Sequence, residues 1–435
     1  MNRFRKALSN ENTYIVGIIC FLLILTSINF MLLEHEDITE SDSDKEYLVP
    51  KSPPRVYKSY AKGIRLTFIH NFNDSVVISW FTEKNVSDPL VVYSTMSDLW
   101  DPIVIKASSI TFSSTFIHTA ELTQLLPNKK YFYQIRSDKD HRREILSFKT
   151  MPTNTDHFSF LVYGDSRTQR DERRNLAEKI MANFSDNIQF TVHTGDIVEN
   201  GLIQTQWNNY FNDTECLNSY KQGIYVEGNH EGGIWTKMYH NLPMRNNFTD
   251  RYYSFSYMDI GFIILVSSPY AAGYAPQTEW LNQTLIQFSQ ENLFNFVLLH
   301  HPLLNDDRTD VYFRENWKPL FDKYNVSLIF CGHDHHYARS YPITNSTSDP
   351  IEYDNSELYN YTNLNNSVYI TAGGAGAPLY PVNEKDFLAK GEMAYHFVLV
   401  DVKKEVSKTT ISLETWCMPE DFSDLYLFDN ITISK

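Results

Sequence analysis

The amino-acid sequence predicts a β-sandwich followed by an α/β domain, both set behind an apolar N-terminal segment. Three observations carry that reading. Residues 14–33 form an uncharged apolar run of about the length that crosses a bilayer. Residues 56–151 are a succession of short β-branched and aromatic stretches broken by turn residues. From residue 156 to the C-terminus at 435, apolar stretches alternate with segments of helical period. With 42% hydrophobic and 21% charged residues among 435, the chain can build two cores and does not have a disordered composition.

Arg3, Arg5 and Lys6 precede the apolar run, and the stretch EHEDITESDSDKE after it carries seven acids and one lysine. This charge bias makes residues 1–13 a cytoplasmic tail and residues 14–33 a transmembrane anchor. The remainder is then lumenal or extracellular, a type II topology. A cleaved signal peptide, with residues 15–25 as its apolar region, gives the secreted alternative. The length of the run and the lack of an obvious small-residue cleavage site favour a retained anchor. N-x-S/T triplets at Asn73, Asn85, Asn183, Asn212, Asn247, Asn282, Asn325, Asn345, Asn360, Asn365 and Asn430 agree with translocation and predict N-linked glycans. Cys20 lies in the apolar run, leaving Cys216, Cys331 and Cys417 and room for one disulfide at most. Residues 34–55, acidic and then proline-containing, read as a linker.

In the sandwich region, IRLTFIH, SVVISWF, PLVVYST, FIHTAEL and KKYFYQIRS read as strands. In the α/β region HFSFLVYGD is a strand and DERRNLAEKIMANFS a helix, with Leu176, Ile180, Met181 and Phe184 on one face. IQFTVHTGD is the next strand. TEWLNQTLIQFSQ and RENWKPLFDKYN follow as helices, NFVLLHHP and VSLIFCGHDHHY as strands, and SVYITAGG, AYHFVLVDV and TTISLETW close the domain as strands. No internal repeat is present.

A net charge of −15 without a basic stripe argues against a nucleic-acid-binding surface. It does not exclude phosphate chemistry, because bound metal ions can supply the positive charge. Five segments share one design, an apolar strand that ends in polar residues: VYGDSR (Asp165), VHTGDIVEN (Asp196), YVEGNHE (Asn229, His230), VLLHHP (His300) and CGHDHHY (His333, His335). In an open α/β sheet such loops converge on one crevice. Two carboxylates, an amide oxygen and three imidazoles suit a pair of divalent or trivalent cations. The glycine before each of Asp165, Asp196, Asn229 and His333 is expected to let the backbone turn sharply there. Each motif alone is weak; their joint order predicts a dinuclear site.

The ordered set GD…GD…GNHE…HHP…GHDH resembles the metallophosphoesterase superfamily, and FIHTAELTQLLPNKKYFYQIRS…LSFKTMP is similar to the fibronectin-III-like N-terminal domain of its purple acid phosphatase-like branch. The resemblance implies a four-layer α/β/β/α sandwich for residues 156–435. It implies that Asp165 and His335 bind a first metal, that Asp196 bridges, and that Asn229, His300 and His333 complete the second. The ions are expected to be Fe, Zn or Mn. Attack by a metal-held water or hydroxide would hydrolyse phosphate esters. His230 would stabilise the transition state or protonate the leaving oxygen, with Glu231 orienting its imidazole.

Two positions depart from the family pattern. Where the purple enzymes carry a tyrosine ligand, GDIVE has Glu199, which predicts no tyrosinate colour; Glu199 or waters are then left to fill the first metal's shell. Where other members carry a histidine, GDSR has Arg167, which cannot ligate because a guanidinium has only donors. Arg167 is expected either to clamp an anionic substrate or to pair at the surface with Asp171 or Glu172.

His301 and His336 adjoin expected ligands and border the substrate pocket if they do not point away. Asp334 reads as solvated or supporting, His193 and His396 as core histidines, and TAGGAGAPLY as a close-packed turn rather than a nucleotide cradle. The branch resemblance implies phosphomonoesters as the substrates; phosphodiesters or diphosphates are the alternative, and a binding glycoprotein on a weakened enzyme scaffold is the rival of another class.

Overall fold

The computed structural model describes residues 61–67, 72–112, 114–137, 142–232, 251–268, 274–304 and 311–435. The apolar run at 14–33, its tail and the linker lie outside the described residues. Among the described residues no helix is long and apolar enough to cross a membrane.

The N-terminal β domain is a sandwich. Lys62–Thr67, Val76–Thr82, Thr115–Leu122 and Ser108–Phe112 pair antiparallel in one sheet; Ile103–Lys106, Leu90–Ser94, Lys130–Arg136 and Leu146–Lys149 make the other. Ile78, Trp80, Val91, Tyr133, Ile135 and Phe148 fill the space between them. Ile103–Lys106 and Ser108–Phe112, which the sequence did not disclose, are exposed along most of their length. The first sheet does not stop at the domain boundary. Leu66 and Thr67 pair parallel with Gln222 and Gly223, so eleven strands run as one sheet through both regions.

The α/β region has two facing sheets. In the first, His157–Tyr163, Phe190–His193 and Gln222–Tyr225 run parallel, flanked by the antiparallel Tyr395–Lys404, Thr409–Met418 and Tyr426–Ser434. In the second, Ile260–Ile264, Phe294–Leu298, Leu328–Cys331 and Val368–Ala372 run parallel. Period-two alternation decides which side chains go where. Phe158, Phe160 and Val162 point into the core between the sheets with Phe190, Phe262, Phe296 and Phe330, while Leu161 and Tyr163 point outward to a helix. That helix, Arg170–Phe184, buries Leu176, Ile180 and Phe184. Tyr274–Glu291 and Val311–Lys323 cover the outer face of the second sheet through Leu281, Leu285, Phe313 and Trp317. The result is the α/β/β/α layering the resemblance implies.

The helix Gln204–Asp213 was not legible as one. Its Trp207, Tyr210 and Phe211 pack with Phe81 and Ile117 of the sandwich, and Arg65 lies over the Phe211 ring at 4.1 Å. Together with Tyr133 Oη donating to Ser219 O (2.6 Å) and Arg143 paired with Glu215 (2.5 Å), it ties the sandwich to the α/β region. Among the described residues no disulfide joins Cys216, Cys331 and Cys417.

Candidate metal centre

Each expected ligand sits just past the C-terminal end of a parallel strand: Asp165 after His157–Tyr163, Asp196 after Phe190–His193, Asn229 after Gln222–Tyr225, His300 after Phe294–Leu298 and His333 after Leu328–Cys331. The two facing sheets therefore deliver them to one place. The backbone achieves this differently from expectation. Of the four preceding glycines only Gly195 has positive φ (100°); the left-handed conformation falls on Asp165 (58°), Asp196 (52°) and His333 (69°) themselves. Such geometry costs about 1–2 kcal/mol per non-glycine residue, and functional sites are where such strain persists. Gly228 and Gly332 serve close approach instead: a Cβ there would stand 2.2 Å from Asp196 Oδ1 and 2.3 Å from Asp165 Oδ2.

The donors expected for the second ion face one another. His300 Nε2 lies 3.1 Å from Asn229 Oδ1, 3.2 Å from Asp196 Oδ1 and 3.3 Å from His333 Nδ1. His333 Nδ1 is also 3.1 Å from Asn229 Oδ1. His300 donates its Nδ1–H to Thr194 O at 2.9 Å, which turns the Nε2 lone pair toward the cluster. Two oxygens and two imidazole nitrogens, each able to offer a lone pair, converge here, so these residues fit a bound metal. Electrostatics point the same way. Burial pulls the His300 imidazole down, but the charge and hydrogen bond of Asp196 outweigh it and raise its pKa to about 10. Burial, reinforced by the charge of Asp196, pushes the Asp165 carboxyl well above its usual range. Burial disfavours the ionised form of Asp165, while the anionic Asp196 favours the charged form of His300. His301, expected only at the pocket's edge, is buried beside His300 and His333, with donor atoms of the three within 4.8 Å of one another. Its Nδ1 meets Ser267 Oγ at 3.0 Å.

The donors expected for the first ion are arranged otherwise. Asp165 accepts the His333 backbone N–H on both oxygens (3.0 and 2.9 Å), and its Oδ1 is 3.6 Å from His335 Nε2. Arg167 does not pair with Asp171 or Glu172, since Asp171 is taken by Arg174 at 2.9 Å. It turns inward, where Nε donates to Glu199 Oε2 (2.6 Å), Nη2 pairs with the same oxygen, and Nη1 donates to His335 Nε2 (3.1 Å). The Nδ1–H of His335 donates to Pro378 O at 2.8 Å. Burial, with the Arg167 charge adding, lowers the His335 pKa to about 4, so the ring is neutral.

His230 and Glu231 separate in role. His230 donates its Nδ1–H to Glu199 O (2.6 Å), and its Nε2 faces Asp196 Oδ2 at 3.6 Å. Glu231 does not orient that imidazole. Its fully buried carboxylate accepts the backbone N–H of Gly228 (2.6 Å), Ile197 (2.6 Å) and Asp196 (3.1 Å), which shapes the loop that carries Asp196.

Asp334 is buried rather than solvated. His336 is buried too, its Nδ1 3.3 Å from Tyr380 O. His193 meets Ser166 Oγ at 2.8 Å, and His396 donates to Ala394 O at 2.9 Å; both are core histidines that burial keeps neutral. The glycine-rich turn packs directly under the site, with Ala377 N donating to Asp165 O at 2.7 Å. Tyr380, at its end, was missed by sequence reasoning: its hydroxyl donates to His333 O at 2.7 Å and its ring lies on His335 at 4.5 Å. Thr194 was missed as well, because its contribution is a backbone carbonyl.

Residues 158–337 match the family model for calcineurin-like phosphoesterases, and residues 61–150 that for the purple acid phosphatase N-terminal domain. An uncharacterized protein of Mycobacterium tuberculosis (strain H37Rv) is 25% identical over 368 residues, 72% of this chain and 69% of that protein. A phosphoenolpyruvate phosphatase of Allium cepa is 26% identical over 392 residues, 81% of this chain and 77% of that protein. The solved purple acid phosphatase from yellow lupin (Lupinus luteus) seeds shares the fold, with a TM-score of 0.73 at 20% identity over 87% of this chain and 75% of that one. The chain thus carries, in this order, a region matching the purple acid phosphatase N-terminal domain and a region matching the calcineurin-like phosphoesterases, the second holding the ligand-bearing loops above.

Proposed function

We propose that the chain is a metal-dependent hydrolase of phosphate esters, acting on phosphomonoesters at the cluster of Asp165, Asp196, Asn229, His300 and His333. The observation that carries this is the convergence of Asp196 Oδ1, Asn229 Oδ1, His300 Nε2 and His333 Nδ1, with the His300 tautomer set by Thr194 O. Mixed nitrogen and oxygen donors suit Zn, Mn or Fe. A cation bound there supplies Lewis acidity toward a phosphoryl oxygen and the acidity that makes water a nucleophile near neutral pH. The protein's own groups then divide the work. Asp196 holds a carboxylate on the cluster; burial opposes this, but His300 and His230 keep its pKa well below the usual range. His230, its Nδ1–H committed to Glu199 O, presents Nε2 to the reacting group; as the doubly protonated imidazolium it gives the Nε2 proton to the leaving oxygen and is left neutral with Nδ1–H in place. Glu231 fixes the loop that places Asp196.

The name of the Allium cepa relative supports monoesters. Residues 14–33 are proposed as the anchor that holds this domain on the lumenal or extracellular side. In support of glycosylation, none of the ten described acceptor asparagines is buried. The test is turnover of the purified chain on p-nitrophenyl phosphate and bis-p-nitrophenyl phosphate, after chelation and after return of Zn, Mn or Fe. Monoester turnover restored by metal is expected. Faster diester turnover would reassign the substrate, and none under any metal would leave the binding-protein reading.

A further inference from the structure

The family implies two metals; Asp165, Asp196 and His300 bring donor atoms within 4.8 Å of one another, but the further donors expected for the first ion, His335 and Glu199, are engaged elsewhere as they stand. The single lone pair that His335 can offer is on Nε2, because Nδ1–H is committed to Pro378 O, and Nε2 already accepts from Arg167. Glu199, the other group able to fill that shell, has its Oε2 engaged by both Nε and Nη2 of the same guanidinium. Arg167 is also held from its backbone, its carbonyl accepting from the buried Arg173 at 2.5 Å. Its side chain is 17% exposed, so it is built into the site rather than lying on the surface. A second cation placed against His335 and Glu199 would meet a fixed positive charge at hydrogen-bond range.

We propose that the Arg167 guanidinium takes the place of the first cation. The resident metal is then one ion held by Asp196, Asn229, His300 and His333, and Arg167 is the second positive group that receives the phosphoryl oxygens. Of its five N–H bonds, three are engaged by Glu199 and His335, leaving two for an oxyanion among the described residues. Glu199 and His335 are positioning residues for the guanidinium. This inference rests on the phosphoester-hydrolase reading.

The test is metal stoichiometry. The purified full chain is loaded with excess Mn²⁺, desalted, and examined by elemental analysis and low-temperature electron paramagnetic resonance. One Mn per chain with an isolated-ion spectrum is expected. Arg167→His, which releases His335 Nε2 and adds an imidazole, should gain a second ion and an exchange-coupled spectrum. Two coupled ions in the unaltered chain, or a folded Arg167→His chain still limited to one, overturns the proposal. If Arg167→His does not fold, the stoichiometry of the unaltered chain decides. No retained metal together with no turnover overturns the hydrolase reading instead, so the two failures are distinguishable.

Discussion

Replacing Glu231 by alanine separates a structural carboxylate from a catalytic one. In the structure its oxygens accept backbone hydrogen bonds from Gly228 (2.6 Å), Ile197 (2.6 Å), Asp196 (3.1 Å) and, more weakly, Val198 (3.4 Å), and the side chain is fully buried. Alanine would leave these N–H groups without an acceptor, at about 1–3 kcal/mol each where no water enters. Water admitted to the vacated space recovers part of this, so a loss of about 3–5 kcal/mol is expected, a large share of the ~5–15 kcal/mol that stabilises a typical domain. Glutamine keeps one oxygen at a similar place and should lose about half as much. The assay is urea unfolding followed by fluorescence, run beside turnover on p-nitrophenyl phosphate. If Glu231→Ala loses less than about 1 kcal/mol while turnover collapses, the carboxylate acts in the chemistry and the structural account of it is wrong.

Other groups give equally direct outcomes. His230→Ala should lower kcat by about 10²–10⁴-fold, more for alkyl phosphates than for p-nitrophenyl phosphate, whose leaving group needs no proton; an equal loss on both would contradict the role at Nε2. His396, fully buried, has its pKa lowered by burial from 6.5 to about 4. The unfolded chain therefore binds a proton below pH 6.5 that the folded one refuses, and stability should fall as pH drops from 6.5 to 4, by about 3 kcal/mol from this group. His396→Gln should flatten that slope in urea titrations, and an unchanged slope would refute the assignment. Asp213 is shared by Arg170, Arg173 and Arg174, and Asp213→Asn should cost about 3–5 kcal/mol by stranding the buried Arg173, read as a lowered Tm.

Much of this was legible in the sequence, and the limits have physical causes. Strand-end aspartates, asparagine and histidines announced the cluster because the parallel strands that carry them are short apolar runs buried on both faces, as in Phe160, Leu161, Val162 and Tyr163, so the polar residues at their ends stand out. The fate of Arg167 was not legible. Its partner Glu199 lies 32 residues away, and the choice between that carboxylate and nearby Asp171 is made by the turn of a loop. Glu231 was misread because its partners are backbone amides, which leave no trace in side-chain identity. Gln204–Asp213 looked too polar for a buried helix; its only signal is the i, i+3, i+4 spacing of Trp207, Tyr210 and Phe211.

The central claim is that Asp196 and its three companions hold the metal that makes the chain a phosphatase. The most direct measurement is bound metal and monoester turnover on one sample each of the unaltered chain and Asp196→Asn. The account predicts that both quantities fall together in the variant by at least about tenfold, the scale on which metal-site substitutions act. Turnover undiminished in Asp196→Asn, or metal retained in full, would contradict it.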